Sequence, residues 1–361
     1  MTHRPLPRLT GPALLAWVVT LSCQAGSERQ LSREGHEHAP SDHPIAWLAS
    51  DRVLFLHLDQ WSADPNAVQV SCDSSGVYEL DPSGRTRPLR LGEQVCEVPD
   101  ANGADVSPDG RYLVYLSGEQ LHRLDLETGR RITLTGDGFR WAGLPSWSPA
   151  GQRIAFVAHS SQRDSTDGPA LYLVNSGGGA IRQVRSLGAR YVESSPSWSP
   201  DGRRLVITAY PDGGRQPESA AEIVVVDTLG QSWRVVGAGH QASWSPTGEW
   251  IAYLAFSRVA DDTSRTWASS IRLVKADGTG HRELYRTTEQ TAFGRFRDRT
   301  LNGSPFGRLV WSPDGERLAF RRVFNGRSTM WAIGVDGTGL TELGRIDVGT
   351  GERRSQTNPG G

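Results

Sequence analysis

The sequence predicts an all-β chain: a six-bladed β-propeller of four-stranded antiparallel blades, preceded by a signal peptide and a short disordered tether. Three observations carry this prediction. A turn phrase of the form S-W-S-P-x-G returns in five near-copies along the 361 residues. Each return is followed by a β-rich apolar run and then by further short strands in constant order. Glycine and proline (41 and 21 residues) supply more turn chemistry than a helical chain of this size would use.

The N-terminus reads as an address. Arg4 and Arg8 precede an apolar run at residues 11–21, too short to span a bilayer as a helix, which takes about 20 residues, but suited to a signal-peptide core. Thr20-Leu21-Ser22-Cys23 resembles a bacterial lipobox, with Thr20 where that motif prefers Leu. Residues 1–22 are therefore expected to be a lipoprotein-type signal and Cys23 the lipidated residue. A plainly cleaved signal is the alternative, and either way the chain is exported, to the periplasm or the cell surface. Residues 23–43 are polar, without a period, and read as a flexible tether. His36, His38 and His43 could form a weak metal site, but in such a tract solvated linker is the simpler reading. In an oxidising compartment Cys72 and Cys96 are expected to pair. The bridge would close a loop of about 25 residues, worth roughly 3 kcal/mol in the loop-entropy model; two buried free thiols are the alternative.

The blades follow. Ser146-Trp147-Ser148-Pro149, Ser197-Trp198-Ser199-Pro200 and Ser243-Trp244-Ser245-Pro246 open the clearest copies, Val310-Trp311-Ser312-Pro313 replaces the first Ser, and Asp105-Val106-Ser107-Pro108 has Val for Trp. Their prolines lie 41, 51, 46 and 67 residues apart, a unit of roughly 40 residues with insertions, which is the period of a four-stranded propeller blade. Pro sets φ at the second turn position, Asp tolerates the third and Gly suits the fourth. Second strands are expected near 112–115, 154–157, 205–207, 251–254 and 318–320, with third and fourth strands after each. A degenerate first blade precedes them, with strands near 45–49, 53–58, 77–80 and 86–89. The expected blades are 45–95, 96–136, 137–186, 187–237, 238–285 and 303–344, followed by a disordered tail at 345–361. A single blade cannot bury both of its apolar faces, so the six must close into a ring.

This phrase with its following strand resembles the WD-like propeller repeat of the TolB family, over about residues 45–344. It is also similar to the propeller of prolyl oligopeptidase-type peptidases. The resemblance implies the fold more strongly than a function. TolB carries an α/β domain before its propeller where only a tether stands here, and the peptidases carry a hydrolase domain, so a stand-alone TolB-like propeller is expected.

Composition narrows the function. With 39 basic against 40 acidic side chains and a net charge of −1, the chain lacks the basic excess of a nucleic-acid binder. A mean hydropathy of −0.44 excludes a polytopic membrane protein. Of the basic residues only Lys275 is lysine, which reads as a genome bias. Trp147, Trp198, Trp244 and Trp311 recur at equivalent positions and are expected between blades, and Asp109, Asp201 and Asp314 are expected to bond their own turns. The long connections all fall between second and third strands or between blades, on one face, and loops on a rigid scaffold carry most binding function.

Residues opening the inner strands should rim the channel there: Arg140, Trp141, Arg190, Tyr191, Glu193, His240, Gln241, Arg295 and Phe296. Aromatic and Arg side chains anchor interfaces, and Arg forks onto carboxylate or phosphate. The alternative is that these arginines only cap strand ends. No nucleophile elbow, H-E-x-x-H, P-loop or dinucleotide fingerprint occurs, so no enzyme, no cofactor and no metal are expected. The expected role is an exported, lipid-anchored, monomeric interaction module for an envelope protein or peptide segment, touching membrane only through its anchor. A glycan-binding propeller or a channel-site hydrolase or lyase is the alternative.

Overall fold

The computed structural model describes residues 36–37, 41–48, 51–58, 60–64, 67–70, 76–88, 104–117, 119–161, 168–188, 190–192, 196–211, 221–258, 267–288, 308–324 and 327–345. Among these there is no helix, and six antiparallel sheets follow one another along the chain. Blade one is Ser41–Trp47, Val53–Leu58, Gly76–Leu80 and Thr86–Pro88. Blade two is Ala104–Val106, Tyr112–Ser117, Gln120–Asp125 and Arg131–Thr133. Blade three is Phe139–Trp147, Arg153–Ser160, Ala170–Asn175 and Ile181–Ser186. In blade four the first strand is split into Tyr191–Val192 and Ser197–Trp198, both paired with Arg204–Tyr210, before Glu222–Asp227 and Trp233–Ala238. Blade five is His240–Trp244, Trp250–Arg258, Trp267–Lys275 and Arg282–Thr287. Blade six is Val310–Trp311, Arg317–Phe324, Arg327–Gly334 and Thr341–Arg345.

Alternation along each second strand explains the ring. In blade three Ile154, Phe156 and Ala158 pack toward blade two, while Ala155 and Val157 pack toward blade four, because successive side chains leave a strand on opposite faces. The core accordingly divides into six clusters, one at each blade junction. The junction of blade six with blade one buries Phe55 and Met330 completely, each contributing about 2 kcal/mol. Both blades own all four of their strands, so the ring closes by side-chain packing without a shared strand.

The repeated turn has a repeated job. The Gly amide donates to the Ser carbonyl three residues back in every full copy, Gly151 to Ser148 and Gly202 to Ser199 among them. Blade one holds a hidden version: Asp51 donates to the Leu48 carbonyl at 3.1 Å and takes φ 58°, the left-handed conformation that Gly takes elsewhere. The indole of Trp198 donates to the Ser146 carbonyl of the preceding blade (3.1 Å), and Trp311 does the same to Ser243 (3.0 Å). In blades three, four and six the arginine opening the second strand then covers the tryptophan of the next blade. Arg153 lies 5.2 Å from Trp198, Arg204 4.9 Å from Trp244, and Arg317 4.7 Å from Trp47. The last of these repeats the device at ring closure, where Arg317 also pairs with Asp51 at 2.7 Å.

Arginine has a second recurrent role. Arg123, Arg182, Arg234 and Arg282 donate to carbonyls of Ser176, Thr228, Asp277 and Val335, each in the next blade. The arginine bias is therefore used as inter-blade chemistry, and reading it as composition alone was incomplete. The planar guanidinium can stack and fork at once, which an ammonium cannot.

A small extra sheet joins His36–Glu37, Gln60–Asp64 and Ala67–Val70. The last two strands are an insertion between the second and third strands of blade one. The first, like the start of Ser41–Trp47, falls within the stretch expected as tether; its backbone pairs with Trp61 and Ser62. The signal, Cys23, His38, Cys72, Cys96 and the tail lie outside the described residues.

Candidate binding site at the channel and the insertion face

The innermost strands line the central channel, and one side-chain contact links blades that are not neighbours. Arg308, just before the inner strand of blade six, donates to the Ala104 carbonyl (3.0 Å) and to Asp105 (3.2 Å) of blade two. Blade one lies between those blades in the ring, so the pair links its two neighbours past the inner strand of blade one. Asp105 is 8% exposed and also accepts the Trp147 amide at 2.7 Å. Burial pushes its carboxyl up from the usual carboxylate range, against the pull of Arg308 and of the Trp147 and Val106 amides. Sequence reasoning missed this pair. The available signal was that Asp105 replaces the Ser that opens the phrase in blades three to five.

At the opposite end of the second strands from the S-P-x-G turns, an aromatic corner forms between blades four and five. Tyr210, closing the second strand of blade four, shares a hydrogen bond with His240 Nδ1 (3.2 Å), and the His240 ring lies 4.9 Å from Phe256. All three are half-buried. Of the expected rim residues, His240 lies at this corner, and Tyr191 pairs with Tyr210 in the sheet register, its side chain being outside the described residues. Gln241 follows, buried and at φ 53°, beside a register shift in the inner strand. A non-glycine residue in that conformation costs of order 1–3 kcal/mol and marks a backbone held by its surroundings.

The other expected rim residues are placed as follows. Arg140 and Trp141 lie in the inner strand of blade three, where Trp141 faces His159; their side chains are outside the described residues. Arg190 lies over the Trp233 ring of blade four's outermost strand (5.2 Å). Glu193, Arg295 and Phe296 are outside the described residues. The turn carboxylates act as expected from their position. The hydroxyls of Ser107, Ser199 and Ser312 hold Asp109, Asp201 and Asp314 below the ordinary carboxylate range.

No family model matches the chain. It is 24% identical over 220 residues to the uncharacterized peptidase YuxL of Bacillus subtilis, covering 49% of this chain and 33% of that protein. It is 29% identical over 124 residues to the Tol-Pal system protein TolB of Alcanivorax borkumensis, covering 34% of this chain and 27% of that one. The matches thus span about a third or less of these relatives. Among solved structures, a putative TolB from Agrobacterium tumefaciens superposes with a TM-score of 0.53 at 21% identity, covering 72% of this chain and 84% of that one. An oligogalacturonate lyase in complex with manganese superposes with a TM-score of 0.55 at 14% identity, covering 85% and 79%.

These findings overturn the expectation that the chain is not an enzyme. A relative named as a peptidase and a lyase of the same fold show that propellers of this kind accompany or carry catalysis. A channel site assembled from separate blades leaves no contiguous motif, so the missing motifs exclude nothing. The fold itself is unambiguous: the chain is a six-bladed β-propeller, a fold it shares with the putative TolB structure.

Proposed function

We propose that this propeller is an interaction module of the cell envelope that takes a segment of a protein partner on the face carrying its long connections, at the mouth near His240. The observation that carries the reading is the aromatic corner of Tyr210, His240 and Phe256, set on the inner and second strands of blades four and five. Rigid, half-buried rings with a polar handle are the side chains that anchor interfaces. The Asp105–Arg308 pair ties blades two and six together beside blade one. The likeness to a Tol-Pal system protein supports the envelope setting; an N-terminal signal, lipidation at Cys23 and a Cys72–Cys96 bridge belong to the same proposal.

The test is recovery of partners from native envelope by the full chain and by a His240→Ala/Phe256→Ala variant with unchanged circular dichroism. A discrete protein lost in the variant supports the reading. Equal recovery by both, or binding of oligosaccharide in its place, overturns it.

A second reading rests on Asp105. A buried carboxyl with a raised pKa beside an arginine in a channel is the kind of group that serves as a general acid, and an acid of that kind would suit a hydrolase or lyase. Turnover of acidic oligosaccharides abolished by Asp105→Asn would establish it.

A further inference from the structure

Several arginines are matched to a carboxylate, among them Arg87 to Glu79, Arg111 to Asp125, Arg272 to Glu283, Arg308 to Asp105 and Arg317 to Asp51. The outer edge between blades three and four keeps the recurrent carbonyl contact of Arg182 and adds Arg185 and Arg190 to it. Arg182 and Arg185, on the fourth strand of blade three, donate to the carbonyls of Thr228 and Gly230 at 2.7 and 2.8 Å. Those carbonyls belong to the turn of blade four that carries Leu229. Arg185 and Arg190 each lie 5.2 Å from the Trp233 ring centre. Among the described residues none of the three arginines pairs with a carboxylate, and the buried Nε of Arg190 has no hydrogen-bond partner.

The same edge exposes apolar surface. Leu229 is 67% exposed and Val235 49%. Val235 shares a face of its strand with Trp233, two residues away. Like-charged guanidinium groups gathered on one indole, beside uncovered aliphatic side chains, cost free energy unless something anionic and partly apolar meets them. The chain as a whole has a net charge of −1, so the cluster is local.

We propose that this edge of the propeller rests on the anionic surface of a phospholipid membrane. The three guanidinium groups meet headgroup phosphates, Trp233 sits at the interface, and Leu229 and Val235 enter the interfacial layer. A turn tip and the outermost strand of a blade form a protruding edge, which fits an extended surface better than it fits a peptide. Arg, Trp and aliphatic side chains together are the composition that favours such an interface. This contact is additional to any lipid anchor and departs from the expectation that the anchor is the sole membrane contact.

The test uses the full chain carrying Cys23→Ser, so that no acyl group contributes, in flotation with phosphatidylcholine vesicles with and without phosphatidylglycerol. Any contribution from residues 11–21 is common to all variants. Binding is expected to rise with phosphatidylglycerol. It should fall about fivefold for Arg185→Gln or Arg190→Gln and about thirtyfold for both, given about 1 kcal/mol for each arginine at an anionic surface. Leu229→Ser, at an exposed turn and neutral for folding, should weaken the same binding. Equal binding to both vesicle types, or phosphatidylglycerol binding unchanged in the folded Leu229→Ser and Arg190→Gln variants, overturns the proposal. So does tight binding of a poly-glutamate peptide with no vesicle association, which would assign the edge to an acidic protein.

Discussion

Replacing Arg308 with Met should expose how the channel is held. In the native protein Asp105 is buried, with its side chain 12% exposed, and Arg308 24% exposed at 3.2 Å. Removing one partner of a buried pair costs about 3–5 kcal/mol. Here the Trp147 amide still serves the carboxylate and some water reaches it, so about 3 kcal/mol is expected at neutral pH. At roughly 2 °C per kcal/mol for a domain of this size, the melting temperature should drop by about 6 °C.

The pH dependence gives a sharper check. Burial already raises the Asp105 carboxyl above its unfolded value, and losing Arg308 raises it further. A raised carboxyl contributes stability below its unfolded pKa and loses that contribution as pH rises through the folded value. The Arg308→Met penalty should therefore be largest above neutrality and shrink as the solution is acidified. Asp105→Asn keeps an acceptor for Trp147 without a charge, and should cost about 1 kcal/mol with little pH dependence. Urea unfolding at several pH values measures all three proteins. A penalty that is the same in acid and base, or one within error of zero, would refute the claim that this pair is a buried link between blades two and six.

Two further predictions concern the blades. Gly230→Ala would place a Cβ 2.0 Å from the Val184 carbonyl oxygen at φ +77°, whereas Gly129→Ala, at φ +71°, meets nothing within 4 Å. The second should cost about 1–2 kcal/mol of backbone strain, and the first well over 3 kcal/mol or the fold itself; matched denaturation curves separate them. The serine-bonded carboxylates Asp109, Asp201 and Asp314 have depressed pKa values. Their contribution is present above the unfolded value near 3.8 and lost as pH falls through the lower folded values. Thermal stability should hold from neutrality to about pH 5 and fall below about pH 4, and a triple Asp→Asn variant should flatten that acid limb.

The fold was legible because blades three to six repeat one local rule, a Pro-Gly turn, an alternating strand and a tryptophan that needs a neighbour, and blade two departs from it only in Val106. Blade one shows where that legibility ends. Its turn keeps the hydrogen bond but swaps Gly for Asp51 and loses the proline, so the pattern survives in backbone geometry and not in letters. The split inner strand of blade four and the extra sheet on blade one depend on pairing between distant segments, which no local period records. The site was less legible for the same reason. Arg308 and Asp105 lie 203 residues apart and meet only because the ring closes. Arg190 was expected at the channel from its place before an inner strand, and its placement over Trp233 follows from packing between blades three and four. His240 finds its partner in Tyr210, which ends a strand rather than opening one.

A photo-crosslinking amino acid placed at position 210, at one end of the second strand of blade four, can be compared with the same group at position 201, in the turn before the other end. Irradiated in intact cells, the full chain is expected to give a discrete protein adduct from position 210 and none from position 201. Adducts from position 201 alone, or the same adducts from both, would contradict the claim that the face carrying the long connections is where this propeller meets its partner.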